Sequence, residues 1–253
     1  MLSTRVIPCL LLQEGGIVKT KKFKKPRYIG DPINVVKILN EKEVDELIFL
    51  DIDASPNKSE PDYELIKTIT NECFMPFSYG GGITSLEQAS NLFNLGVEKV
   101  IIGSHAIHNK KLITDIASQY GNQSVVATMN IKRDIFKKPR LYDPSNKKMF
   151  KIDLSNYCKE LVNAGAGEIF LNFVDRDGMK NGYDGEGIRS FSELVNVPIT
   201  VCGGASCLED MRIAVKDFGA SAVAAGSLFV YHGKRDAVLV NYPDYSKLLE
   251  LFK

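Results

Sequence analysis

The chain has no tryptophan, only three histidines and no excess of charge of either sign. Thirty-two basic residues against 31 acidic ones leave a net charge of +1, which excludes a surface built wholly for nucleic acid; any cationic site has to be local. Five cysteines, Cys9, Cys73, Cys158, Cys202 and Cys207, include no Cys-x-x-Cys pair, and with His105, His108 and His232 they give no zinc-site spacing. No metal and no other cofactor is expected. An odd cysteine count without a pairing framework reads as a reduced, cytoplasmic protein. No apolar run reaches the ~18 residues of a membrane span, so neither a span nor a membrane partner is expected. The early apolar run, residues 6–12, contains Pro8 and precedes no small-residue cleavage site, so it reads as a strand rather than a secretory signal. Gly and Pro, at 20 and 10 in 253 residues, are too ordinary for a collagen-like or disordered chain.

What is present is alternation. Short apolar runs at 6–12, 46–51, 76–79, 99–103, 124–130, 168–172, 198–202 and 222–225 read as eight strands. Helix-period stretches near 31–41, 60–72, 85–94, 109–119, 154–164, 185–195, 206–217 and 244–252 separate and follow them. Asp31-Pro32, Ser85 with Gln88, and Ser206 with Glu209 are helix-start signals. Near-continuous apolar strands suit a parallel sheet buried on both faces. Eight strand–helix units in this length predict one (β/α)8 barrel domain over residues 1–253. A doubly wound open sheet is the alternative, and it lacks the Gly-x-Gly-x-x-Gly that would follow its first strand.

An internal repeat supports two half-barrels. The run from Phe77 to Glu87, with Gly80-Gly81-Gly82, parallels the run from Ile199 to Glu209, with Gly203-Gly204, at an offset of 122 residues. Gly103-Ser104 parallels Gly226-Ser227 at 123, and Phe49-Leu50-Asp51 parallels Phe170-Leu171-Asn172 at 121.

In this fold the C-terminal strand ends carry the site. Gly81, Gly82, Gly103 and Ser104 in one half, and Gly203, Gly204, Gly226 and Ser227 in the other, predict two anion cradles of backbone N–H groups for a substrate with a phosphate at each end. Bulky replacement of Gly81 or Gly203 is expected to weaken ligand binding with little loss of fold. Residues 19–27 hold six basic residues and no acid, and residues 132–151 hold eight basic and two acidic ones. Both segments follow strands of the same face and are expected to steer an anionic substrate. Acid–base candidates are Asp51 and Asp53 after strand two and Asp175 and Asp177 after strand six. The repeat-related strands one and five end instead in Leu11 and Asn130, which cannot exchange protons. His105 and His108 are expected to open helix four as surface or cap residues, and Cys202 and Cys207 to pack in and beside strand seven. At the opposite end, Arg5, Glu46, Lys99 and Glu168 each begin a strand and predict a ring of four inward charges. The bland alternative for that ring is a structural ion-pair plug.

Together these residues resemble the cyclase subunit family of imidazole glycerol phosphate synthase, an enzyme of histidine biosynthesis. The likeness runs over essentially the whole chain. It is carried by Arg5-Val6-Ile7-Pro8-Cys9-Leu10, Gly30-Asp31-Pro32, Asp45-Glu46-Leu47-Ile48-Phe49-Leu50-Asp51-Ile52, Gly80-Gly81-Gly82-Ile83, Asp175-Arg176-Asp177-Gly178 and Gly182-Tyr183-Asp184. The resemblance implies a (β/α)8 barrel, two phosphate sites that include Gly178, and a glutaminase bound at the N-terminal face. It makes Arg5, Glu46, Lys99 and Glu168 a gate through which ammonia enters the barrel, and Lys19 the lysine of a mobile loop. The family's two catalytic aspartates fall on Leu11 and Asn130, where the pattern breaks. The chain therefore looks most like the paralogues associated with glycosyl amidation in surface-polysaccharide biosynthesis, where ammonia passes to a third enzyme. The alternatives are a working histidine-pathway cyclase with rearranged acids, such as Asp51 or Asp177, and a scaffold that only docks and activates the glutaminase. A related phosphoribosyl isomerase ranks last, because it has no use for the ring of charges.

Overall fold

The structure, a computed structural model, describes residues 4–253. Eight strands pair in parallel: β1 (Arg5–Gln13), β2 (Leu47–Asp51), β3 (Phe77–Gly80), β4 (Lys99–Ile102), β5 (Val125–Arg133), β6 (Glu168–Phe173), β7 (Ile199–Cys202) and β8 (Ala222–Ala225). Val6 of β1 lies opposite Val223 of β8, which closes the sheet into a barrel. Around it run α1 (Pro32–Glu41), α2 (Tyr63–Glu72), α3 (Leu86–Asn94), α4 (Lys111–Tyr120), α5 (Leu154–Asn163), α6 (Gly185–Ser192), α7 (Leu208–Lys216) and α8 (Tyr245–Leu251). This is a (β/α)8 barrel.

Alternation along each strand sorts the apolar residues into two cores. Val6, Leu10, Leu47, Phe49, Val100 and Leu171 face outward and pack beneath the helices. Ile7, Cys9, Ile48, Ile101, Val126, Phe170, Cys202, Ala222 and Ala224 fill the lumen, with Leu50 against them. The alternation also corrects the repeat. Glu46 and Glu168 both point inward, and Leu50 shares the lumen-facing parity of Asn172, so β2 and β6 match at 122 residues rather than 121. A one-residue slip would turn every side chain to the other face.

Start signals act largely as read. Asp31 caps α1 by accepting from Asn34 N at 3.0 Å, with Pro32 in the first turn. Ser85 and Gln88 form a reciprocal capping box on α3. The expected pairing of Ser206 with Glu209 is not formed, because α7 starts one residue later. Its N-cap is Cys207, and the N3 carboxylate of Asp210 accepts from Ser206 N at 2.7 Å and from Cys207 N at 3.3 Å, while Glu209 binds Arg212. Cys207 is consequently exposed, not packed beside β7. His105 and His108 lie in a separate short helix, Ser104–His108, ahead of α4.

The two basic segments are ordered ribbons. β1 continues into an antiparallel hairpin, Gly16–Lys21 and Lys24–Gly30, with Leu11 opposite Val18. β5 continues in the same way into Pro139–Asp143 and Lys148–Phe150. Each half-barrel thus begins with a long strand carrying a two-stranded extension above the mouth. The extensions meet where Phe23 packs against Tyr142, ring centroids 6.3 Å apart.

Candidate active site and basal collar

At the N-terminal end of the lumen, the four predicted charges form one alternating ring. Arg5 binds Glu46 and, at 3.1 Å, Glu168. Lys99 reaches Glu46 at 3.0 Å and Glu168 at 3.1 Å. Each glutamate also accepts from a hydroxyl on the next strand: Glu46 from Ser78 at 2.9 Å, Glu168 from Thr200. Ser78 and Thr200 are 122 residues apart, so the half-barrel repeat extends to the collar's supporting hydrogen bonds. Sequence reasoning missed both, although the repeat marked them as equivalent strand starts. The glutamates are buried while Arg5 and Lys99 keep partial exposure toward the N-terminal face. Burial by itself would raise the Glu168 carboxyl; Arg5, Lys99 and the Thr200 hydroxyl outweigh it and hold Glu168 below its usual range.

A carboxyl depressed in the folded state lends stability above its unfolded value, ~4.3 for glutamate, and that stability is lost as pH falls through the folded value. Acid titration followed by circular dichroism is therefore expected to show a loss of stability below about pH 4.3 that Glu168→Gln flattens. An unchanged acid limb in the variant would remove Glu168 from the account.

Above the collar, Ile7, Ile48, Ile101, Val126 and Phe170 make an apolar layer. Cys9 and Cys202 come next; the neighbouring thiol and burial together push Cys9 up. Thr128 adds a buried hydroxyl without a protein partner. The lumen ends at Leu11, Leu50, Asn130 and Asn172, of which Leu11, Asn130 and Asn172 are buried beneath the ribbons. None of these four side chains can take or give a proton near neutral pH.

The glycine sets occupy the expected places. Gly81 and Gly203 follow β3 and β7 with φ of +127° and +98°. A Cβ would lie 2.5 Å from the Asp51 carbonyl oxygen at Gly81 and 2.7 Å from the Phe173 carbonyl oxygen at Gly203. Both positions therefore hold up the backbone itself, and the expectation that bulky replacements would spare the fold is corrected. The second set bounds a space of about 20 Å³ with Gly178, Gly204, Gly226 and Ser227, and Lys19 and Asp177 close it. The first set is less open to an anion, since the Gly82 N–H already donates to Ser55 Oγ at 3.3 Å.

Lys19 and Asp177, read separately from the sequence, come together. The Lys19 ammonium is buried on the Asp177 carboxylate. The same carboxylate accepts from Thr20 Oγ1 at 2.8 Å and Phe23 N at 3.2 Å, and Lys22 N donates to the Asp177 carbonyl at 2.9 Å. Asp177 thus latches the first ribbon over the second glycine set. Asp51 faces away from the lumen and caps the turn that follows, accepting from Asp53 N at 2.9 Å and Ala54 N at 3.0 Å; burial raises its pKa. Asp53 and Asp175 support strand ends, accepting from Glu14 N at 3.0 Å and Arg133 N at 2.6 Å. Each of these three carboxylates thus has structural hydrogen-bond partners. A larger cavity of about 340 Å³ lies between the second ribbon, α5 and α6, lined by Arg133, Asp175, Asp184, Phe173 and Phe191 among others.

Two matched glycine sets at one end of a half-barrel repeat, and a closed ring of charges at the other, define a (β/α)8 barrel built from two similar halves. The chain matches the model of the histidine biosynthesis protein family over residues 5–236. It is 49% identical over 248 residues, 98% of this chain and 99% of the other, to a Pseudomonas aeruginosa protein whose name assigns it provisionally to imidazole glycerol phosphate synthase as subunit hisF2. A Vibrio vulnificus protein with the corresponding provisional name, subunit hisF3, is 49% identical over 255 residues, 99% of this chain and 98% of the other. The imidazole glycerol phosphate synthase subunit HisF of Alkaliphilus metalliredigens is 35% identical over 232 residues, 92% of each chain. The chain belongs to the histidine biosynthesis protein family and is a HisF-type subunit within it.

Proposed function

We propose that this chain is the ammonia-conducting synthase subunit of a glutamine amidotransferase, and that its product is an amidinated surface-polysaccharide sugar rather than an imidazole. A HisH-type glutaminase seats on the N-terminal face and releases ammonia at the collar. The Arg5–Glu46–Lys99–Glu168 ring opens, and ammonia, small and neutral, crosses the apolar layer to the mouth. Four charges closed on one another make a barrier to bulk ions and water, and ammonia needs no counter-charge to cross the layer above. The Thr128 hydroxyl offers a hydrogen bond beyond that layer. The two glycine sets hold phosphate groups of the acceptor once the Lys19–Asp177 latch lifts from the second set.

The single observation that carries the choice of product is the chemistry of the mouth: Leu11 and Asn130 stand at the repeat-related strand ends of β1 and β5, and the Asp177 carboxylate beside the second glycine set is taken up by Lys19 and Thr20. A positioned acid or base contributes about 10²–10⁴-fold. Full retention of collar and glycine sets beside that loss favours a subunit that passes ammonia on. The histidine-pathway reading has the 35% identical HisF relative in its favour.

The reading is tested by mixing the purified chain with a HisH-type glutaminase and following glutamine hydrolysis. Stimulation of hydrolysis together with a stable complex is the expected result; neither complex nor stimulation would end it.

A further inference from the structure

Phe74 is 86% exposed, an extreme value for a ring of that size. It lies between α2 and β3 on the N-terminal face, four residues before the collar-supporting Ser78. The segment that carries it is fixed. Phe74 N donates to Asn40 Oδ1 at 3.1 Å, the Asn40 amide donates to the Glu72 carbonyl, and Leu47 N donates to the Pro76 carbonyl at 2.8 Å. A ring held out on a pre-ordered backbone loses little freedom when a partner covers it, which is how an interface anchor is built.

The charge around it is of one sign for the most part. Glu41 and Glu43 at the end of α1 and Glu98 before β4 are exposed and Glu72 at the end of α2 is half-buried, against the exposed cations Lys37 and Lys42. Lys37 pairs with Glu72 at 3.6 Å, and among the described residues no cation stands within ion-pair reach of Glu41, Glu43 or Glu98. Glu98 is near enough to act on the Cys73 thiol through space, which places it beside the Phe74 segment. An aromatic ring amid acids, at the rim of the collar, is complementary to an apolar pocket bordered by Lys and Arg. A protein that delivers ammonia to the collar has to cover this rim, so the position selects one occupant.

We infer that Phe74 is the anchor by which the glutaminase docks, inserting into an apolar pocket with a basic border on that subunit, and that Glu98 sets the charge match. This rests on the proposed function. The assay uses the full-length chain and its HisH-type glutaminase, with affinity measured by calorimetry and docking also read as stimulated glutamine hydrolysis. Phe74→Ala is expected to weaken binding by about 10–100-fold, and Phe74→Glu to weaken it further. Their melting temperatures should stay at the parent value, since the ring is exposed. At saturating Phe74→Ala chain, the stimulated hydrolysis rate should recover, because the collar is untouched. Glu98→Lys should weaken binding and reduce its salt dependence without altering the fold. Binding of the Phe74 variants within twofold of the parent, or a stimulated rate that stays low at saturation, would overturn the assignment of Phe74 as docking anchor. Failure of the parent chain to bind the glutaminase at all would overturn the proposed function and the anchor with it.

Discussion

Given the phosphoribulosyl-formimino substrate of the histidine pathway and free ammonium, the chain is expected to turn over far below the ~1–10³ s⁻¹ typical of enzymes. Ring closure and carbon–nitrogen cleavage both need protons moved, and the two strand ends where the family carries its aspartates present a hydrocarbon and an amide. Each lost acid–base role costs about 3–5 kcal/mol of barrier. Groups acting as one unit are not additive, so the double loss need not double that figure. The reverse experiment is more informative. Leu11→Asp with Asn130→Asp should raise turnover by at least tenfold if the glycine sets and Lys19 are still shaped for that substrate. Steady-state assay of imidazole glycerol phosphate formation reads both. Parent turnover in the ordinary enzymatic range would make the chain a histidine-pathway cyclase and direct attention to Asp177, released from Lys19, as the proton carrier.

The second large effect concerns stability. Gly203→Ala is expected to destabilise the barrel by about 2–5 kcal/mol, from a residue forced to adopt φ near +98° and a methyl group 2.7 Å from the Phe173 carbonyl oxygen. Its repeat partner Gly81, with a Cβ position 2.5 Å from the Asp51 carbonyl oxygen, should behave alike. Urea unfolding of both variants reads the loss. A midpoint unchanged in either would mean that the strand end yields more readily than its hydrogen bonds suggest. Ser227 is the better position for probing anion binding, because it borders the second glycine set and its hydroxyl supports no strand end among the described residues.

The barrel was legible because parallel strands buried on both faces leave continuous apolar runs, and because turns at the C-terminal strand ends need glycine. The charged ring was legible for a related reason: Arg5, Glu46, Lys99 and Glu168 interrupt apolar strands at their first residue, where a charge has no place in an ordinary core. Its supports, Ser78 and Thr200, were not, since a hydroxyl within a strand carries no signal until the strand's inward face is known. The offset of 121 for β2 and β6 failed on the same point, because identity of residue type at Phe49 and Phe170 outweighed face. The carboxylates at the mouth were misleading in sequence. Asp51, Asp53, Asp175 and Asp177 all follow barrel strands, as catalytic groups do, yet each is taken up by backbone N–H groups or by Lys19. The latch between Lys19 and Asp177 joins residues 158 apart in the chain and depends on a hairpin that a basic, helix-free stretch does not announce.

The ammonia-passing role is tested most directly by what the assembled pair does with glutamine. The chain, its HisH-type glutaminase, glutamine and the histidine-pathway substrate are combined, and glutamate, ammonia and imidazole glycerol phosphate are quantified together. Glutamate and free ammonia should rise in step, at a rate raised by the chain, while cyclised product stays near background. Imidazole glycerol phosphate formed in step with glutamate, one for one, would contradict the account.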